Sequence, residues 1–267
     1  GVTLQRLGEY KSAVESYQRA LYLDPKCCDA HFNLAGLLYN DKNFRDAEYH
    51  YRRTTELKPS NAEAHCDLGL TLQALGRLEE SESCFMHSIA LQPNLAPAYN
   101  NLGLSLQELG RLNEAVSYYE KAVELLPENP EFQNNLAVIF QHLGDFENAE
   151  RRFIEALRVK PNFAAAHRNL SEIRTYLRAD DWHYRAMNDL YIAGRLSQSD
   201  RSHISFGLAK ACDDLGFYDQ AFKFWQEANT LKGKLIEYDS HEEASLLDRI
   251  KSNSANIEKL QNFNPPA

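Results

Sequence analysis

Amide side chains recur along this chain at a fixed interval. Asn33, Asn101, Asn135 and Asn169 share one phase of a 34-residue period, and Asp67 takes the remaining rung. Asn100 and Asn134 directly precede two of these, and Gln107 and Gln141 follow one helical face further on. An amide has two donors and an acceptor with two lone pairs, so one side chain can pair with a peptide N–H and C=O together. A row of such groups along a groove would hold an extended chain by its backbone, with little demand on that chain's sequence.

Other reactive residue types lack the spacing that chemistry requires. His31, His65 and His167 share a phase, and Cys84-Phe85-Met86-His87 has a ligand-like spacing. Metal ligands must converge, whereas these histidines stand a full period apart, so packing in a core or seam explains them. Asp180-Asp181-Trp182-His183 offers an acid/base pair that helix capping also accounts for. His241-Glu242-Glu243-Ala244-Ser245 lacks the second histidine of a zinc-protease helix. Asn169-Leu170-Ser171 is formally a glycosylation sequon, on a segment read as helical. There is no phosphate loop, no Gly-x-Ser-x-Gly and no dinucleotide fingerprint. The expectation is a chain with no catalytic residues, no metal and no cofactor of its own.

The elements that carry the amides follow from the same period. Pro25, Pro59, Pro93, Pro127 and Pro161 lie 34 residues apart. With these prolines at position 32, units run over 28–61, 62–95, 96–129 and 130–163, after a partial first unit and before a degenerate one from 164. Position 15 holds Gly8, Lys42, Gly76, Gly110 and Gly144, supplying the left-handed residue that ends a first helix. Proline ends the second helix because it lacks the N–H and clashes with the preceding turn. Small residues at position 8 (Gly69, Gly103, Ala137) and position 20 (Ala47, Ser81, Ala115) let helices approach closely. Aromatics at position 24 (Tyr51, Phe85, Tyr119, Phe153, and later Trp225) fill the space between hairpins.

These positions together resemble the tetratricopeptide repeat (TPR). The resemblance implies an all-α, right-handed superhelical solenoid of helix-turn-helix hairpins with a C-terminal capping helix. First helices of such hairpins line the concave side. Position 6 there reads Asn33, Asp67, Asn101, Asn135 and Asn169; position 5 reads Phe32, Cys66, Asn100, Asn134 and Arg168; position 12 reads Tyr39, Gln73, Gln107, Gln141 and Thr175. The row is similar to the asparagine ladder in the repeats of O-linked N-acetylglucosamine transferases, with Asp67 breaking it. Asparagine is also common at position 6 of this repeat type. A peptide-gripping ladder and a general preference of the repeat therefore both stand as readings. Inner-face lysines are missing, which speaks against the carboxylate clamp of chaperone-binding relatives.

Composition bounds the partners. The net charge is −9, with no basic stripe, which argues against nucleic acid. No apolar run approaches the roughly 20 residues that span a bilayer. The five cysteines (Cys27, Cys28, Cys66, Cys84, Cys212) show no disulfide spacing and fit reduced thiols in a cytoplasmic protein.

Residues 1–177 thus read as the repeat array and 178–267 as a variant portion. In the latter, Asp181 caps a helix over roughly 182–193 that Gly194 closes, and Ser197 opens another helix. The signature returns over 202–235 through Leu208, Ala209, Gly216, Tyr218, Ala221, Trp225 and Ala228. An amphipathic stretch at about 241–261 (Leu246, Leu247, Ile250, Ile257, Leu260) is read as the capping helix. The run 196–232 is similar to the segment joining repeats to the catalytic domain in bacterial repeat-linked sulfotransferases. That resemblance implies a parent enzyme using 3′-phosphoadenylyl sulfate in a domain outside this sequence. Gly1 falls at repeat position 8, inside a first helix, so a longer parent chain is expected. The expected partner is a protein or extended peptide in the concave groove, with homo-oligomerisation as the alternative.

Overall fold

The computed structural model describes residues 1–6 and 8–235, and all regular structure among them is helical. The chain divides into two compact units, Gly1–Arg174 and Thr175–Ala267. The expected capping helix at 241–261 lies outside the described residues.

The first unit is a solenoid of helical hairpins. After α1 (Val2–Arg6) and α2 (Tyr10–Leu23) come α3 (Cys28–Asn40) with α4 (Phe44–Leu57), and α5 (Ala62–Ala74) with α6 (Leu78–Leu91). Then follow α7 (Ala96–Glu108) with α8 (Leu112–Leu125), α9 (Pro130–His142) with α10 (Phe146–Val159), and the short α11 (Ala164–Ile173). Each second helix packs on its own first helix and on the next one. First helices also touch in succession, α3 to α5, α5 to α7, α7 to α9 and α9 to α11, so they form one face.

Local chemistry sets these boundaries. The residue at position 15 has positive φ throughout, 75° at Gly76 and 60° at Lys42. This left-handed residue lets the chain reverse within three residues, with Arg77 N–H bonded to Leu72 O at 2.9 Å. Each of α4, α6, α8 and α10 stops two residues before its proline, because the residue preceding proline avoids helical backbone. Asn61, Asn129 and Asp145 cap helix starts by accepting from backbone N–H groups.

A further link ties each turn to the helix after it. The position-4 side chain bonds the carbonyl of the preceding proline in all five units: His31 to Pro25 at 3.1 Å, His65 to Pro59 at 3.0 Å, Tyr99 to Pro93 at 3.1 Å, Gln133 to Pro127 at 3.0 Å and His167 to Pro161 at 2.9 Å. A carbonyl can only accept, so three chemically different side chains serve as the same donor. The recurring histidines have this structural role, and their neighbours are other helix residues: His31 Nδ1 lies 2.8 Å from His50 Nδ1.

The core is a seam of small residues and aromatics. Ala47, Ala115 and Ala149 are fully buried, as are Phe85, Tyr119 and Phe153. At position 8 the fit is closest: a Cβ built on Gly69 would sit 2.6 Å from the Phe85 ring, and one on Gly103 would sit 3.0 Å from Tyr119. Burying apolar surface is worth about 25 cal/mol per Å², so these sealed aromatics help hold successive hairpins together.

The second unit contains α12 (Trp182–Ala193), α13 (Gln198–Asp214) and α14 (Tyr218–Leu235). Asp181 accepts from the N–H groups of His183 and Tyr184, Gly194 is left-handed at φ 67°, and Ser197 accepts from Asp200 N–H. Buried Tyr176 bonds His183 Nδ1 at 2.6 Å, and its N–H donates to Asp214. Glu227 gathers Arg201, Tyr191 and Ser205. Trp225 departs from the expectation for position 24. It is 45% exposed, whereas Phe85, Tyr119 and Phe153 are sealed between hairpins.

Candidate functional site

The amides come together on the face formed by the first helices. Asn135 Nδ2 on α9 donates to Asn100 Oδ1 on α7 at 2.9 Å. Asn100 Nδ2 donates to Asn101 Oδ1 at 3.2 Å, and Asn101 Nδ2 reaches the Cys66 sulfur on α5 at 4.0 Å. One hairpin on, Asn169 Nδ2 of α11 donates to Asn134 Oδ1 of α9 at 3.1 Å. Each inter-helix link therefore runs from position 6 of one unit to position 5 of the unit before.

This arrangement corrects the simple ladder in three respects. Asn100 and Asn134 are 8% exposed and act as a buried layer beneath Asn101, Asn135 and Asn169. Their Oδ1 atoms accept there from Asn135 and Asn169. The surface amides also do not present donor and acceptor equally, since an N–H of each is engaged by a neighbouring helix. Asn33 does not join the row: its Nδ2 donates to Asp29 O of its own helix at 2.7 Å.

The position-12 residues diverge. Gln107 accepts from the Tyr119 hydroxyl at 3.0 Å, and Gln141 reaches Glu172 at 3.5 Å. The residue equivalent to Tyr119 one hairpin earlier is Phe85, which has no hydroxyl, and the Nε2 of Gln73 is buried without a partner. Thr175 lies beyond the end of α11 and outside the row.

Asp67 interrupts the row and has its own environment. No amide stands at position 5 of the preceding unit, where Phe32 sits, and Asp67 accepts instead from the Tyr51 hydroxyl. Burial pushes the Asp67 carboxyl up to about 6, the Tyr51 bond opposes that rise, and Glu63 adds to it. Burial likewise pushes the Cys66 thiol up to about 12, with Asp67 adding to the rise, so this cysteine stays protonated and unreactive at neutral pH. The parts played by Tyr51 and Cys66 were not readable from periodicity, because both occupy positions that elsewhere hold simple packing or amide residues.

Among the described residues no group of three or more His, Cys, Asp or Glu is placed to hold a metal ion, and no helix is long and apolar enough to cross a membrane. The geometry offers hydrogen-bonding groups on a shared face, which suits binding.

Known proteins share this architecture. A MamA crystal structure superposes with a TM-score of 0.56 at 22% identity, covering 61% of this chain and 95% of that one. YrrB, described as a TPR protein with an unusual peptide-binding site, gives 0.53 at 19% identity over 80% of this chain and 99% of its own. A thermophilic TPR protein from Thermus thermophilus gives 0.55 at 23% identity, with 65% and 94% covered. At these identities the likeness is one of fold. No curated protein matches the sequence. Three tetratricopeptide-repeat family models match residues 1–62, 60–128 and 106–173. Over residues 1–173 the chain accordingly belongs to the tetratricopeptide-repeat family.

Proposed function

We propose that this chain is a scaffold that binds a protein segment in extended form along the face of α5, α7, α9 and α11. The observation that carries the reading is the inter-helix amide chain from Asn135 through Asn100 and Asn101 to Cys66, which fixes surface amides in register along that face. An extended peptide exposes unpaired backbone groups at regular spacing, and preorganised amides can meet them without ordering cost. The described peptide-binding site of YrrB supports this use of the fold. The test is binding of peptides or substrate proteins to the Asn101→Ala, Asn135→Ala double variant. A loss of about tenfold or more in affinity is expected, and unchanged affinity would remove the ladder.

A finer reading makes this scaffold the substrate-recognition or organising arm of a larger sulfotransferase located in the cytoplasm. It rests on the similarity of residues 196–232 to the joining segment of that family. Its test is sulfuryl transfer from 3′-phosphoadenylyl sulfate by the full-length parent.

Self-association is the second reading. Tyr218, Phe222 and Trp225 are 69%, 69% and 45% exposed and follow one another along one side of α14, an apolar edge that a second copy could cover. Sedimentation of this chain decides it, a strict monomer at high concentration being the negative result.

A further inference from the structure

The amide face is not electrically neutral, and its hydrogen-bonding capacity is not balanced. An N–H of Asn135 and of Asn169 is committed to the helix before, while their Oδ1 atoms accept from no group among the described residues. Asn135 and Asn169 therefore each offer an open Oδ1 acceptor beside one remaining Nδ2–H. The same face of α5 adds two carboxylates: Glu63 and Asp67 stand one helical turn apart, and Glu63 adds to the rise of the Asp67 carboxyl.

Neither Glu63 nor Asp67 takes part in an ion pair among the described residues. Several carboxylates of the second helices contrast with them. Glu48 is bonded by Arg52 and Arg77, Glu80 by Arg52 and Arg77, and Glu82 and Glu114 by Arg111. Arg168, the cation on the row at α11, is held by Glu172. Glu63 and Asp67 thus stand without the arginine partners that Glu48, Glu80, Glu82 and Glu114 have.

Resting on the peptide-binding reading above, we infer that the α5–α11 face selects an extended segment carrying Lys or Arg, with its cationic side chains over Glu63 and Asp67 and its backbone N–H groups at the Oδ1 atoms of Asn135 and Asn169. Charge complementarity is the argument for this occupant over an acidic or neutral one. Unpaired carboxylates repel an acidic chain, and a cation recovers the interaction that the fold leaves unmade. Lys and Arg are donors only, which suits the open Oδ1 atoms of Asn135 and Asn169 and the two carboxylates.

The experiment is fluorescence anisotropy on the whole chain with three labelled twelve-residue peptides, alternating Ser-Lys, Ser-Gln and Ser-Glu, at fixed ionic strength. The Ser-Lys peptide is expected to bind about tenfold more tightly than Ser-Gln, and Ser-Glu more weakly still. The Glu63→Gln, Asp67→Asn double variant should bring Ser-Lys to within about twofold of Ser-Gln while leaving Ser-Gln unchanged. Glu147→Gln, which removes a first-turn charge from α10, a second helix, controls for net charge and should preserve the preference.

Equal affinity for the three peptides, with sensitivity to the Asn101→Ala, Asn135→Ala variant, would overturn the charge selection and keep the ladder. A Lys preference that Glu147→Gln lowers as much as the double variant would also overturn it, as attraction to net charge alone. No binding of any peptide would overturn the ladder and the selection together.

Discussion

Asn169 Nδ2 lies 3.1 Å from Asn134 Oδ1, and Asn135 Nδ2 lies 2.9 Å from Asn100 Oδ1, so one link is repeated a hairpin apart. Both acceptors are almost wholly buried. The links thus serve two ends: they satisfy polar groups inside the stack and they aim the remaining amide atoms outward.

The energetic weight of this link can be read from a double-mutant cycle. Asn134→Ala should lower stability by about 1–3 kcal/mol, because Asn169 loses its acceptor in a poorly solvated place. Replacing both residues should cost less than the sum of the single changes, with a coupling of about 1 kcal/mol. Urea denaturation followed by circular dichroism gives the values, and strict additivity would mean the two amides do not interact.

Asp67 makes stability depend on pH in a particular direction. Its folded-state pKa is raised to about 6 from 3.8, so the native state holds its proton more tightly than the unfolded chain. The acid form is therefore favoured by folding, and stability falls as pH rises from about 4 to 6, then levels off. Asp67→Asn keeps an acceptor for Tyr51 and removes the charge. We expect it to raise stability by about 1–2 kcal/mol at pH 7.5 and by little at pH 4. Melting temperatures across pH 4–8 would show this, and an equal gain at both ends would locate the effect elsewhere.

Gly69 tests the seam. The methyl group of an alanine at this position would meet the Phe85 ring carbons at 2.6 Å, and Phe85 is fully buried with nowhere to move. Gly69→Ala gains roughly 1 kcal/mol in helix propensity. Overpacking costs about 1–3 kcal/mol, so a net loss is expected. Gly103→Ala, where the ring stands at 3.0 Å, should lose less. Thermal melts of the two variants side by side provide the comparison, and the reverse order would refute the steric argument.

Lys42 is the only non-glycine with positive φ among the described residues, at 60°. A side chain there costs about 1–2 kcal/mol, partly offset by the greater freedom glycine has when unfolded. Lys42→Gly should stabilise the hairpin of α3 and α4 by about 0.5–1 kcal/mol, whereas Lys42→Ala should not. Hydrogen exchange at α3 and α4 amides would report the local gain.

Much of the architecture was legible in particular residues. The phase of Pro59, Pro93 and Pro127 marks where α4, α6 and α8 stop, and Gly76, Gly110 and Gly144 mark where α5, α7 and α9 stop, because these residues act on their own backbone. Asp181 and Ser197 were readable as caps for the same reason, since a cap bonds N–H groups two or three residues away. The amide row was legible as a row, but its wiring was not. The partner of Asn135 is Asn100 and that of Asn169 is Asn134, each 35 residues back.

Sequence by itself determined the period, the helix ends and the composition of the face, since all three follow from local backbone chemistry repeated at a constant interval. Only the tertiary structure decided which amides are buried, which atoms they leave free, and that Asp67 takes up Tyr51 and holds its proton to about 6. Those properties depend on the offset between successive hairpins, which is set by how Phe85, Tyr119 and Phe153 seat against the small residues of the seam. A shift of one residue in that offset would leave every helix intact and rewire the whole face.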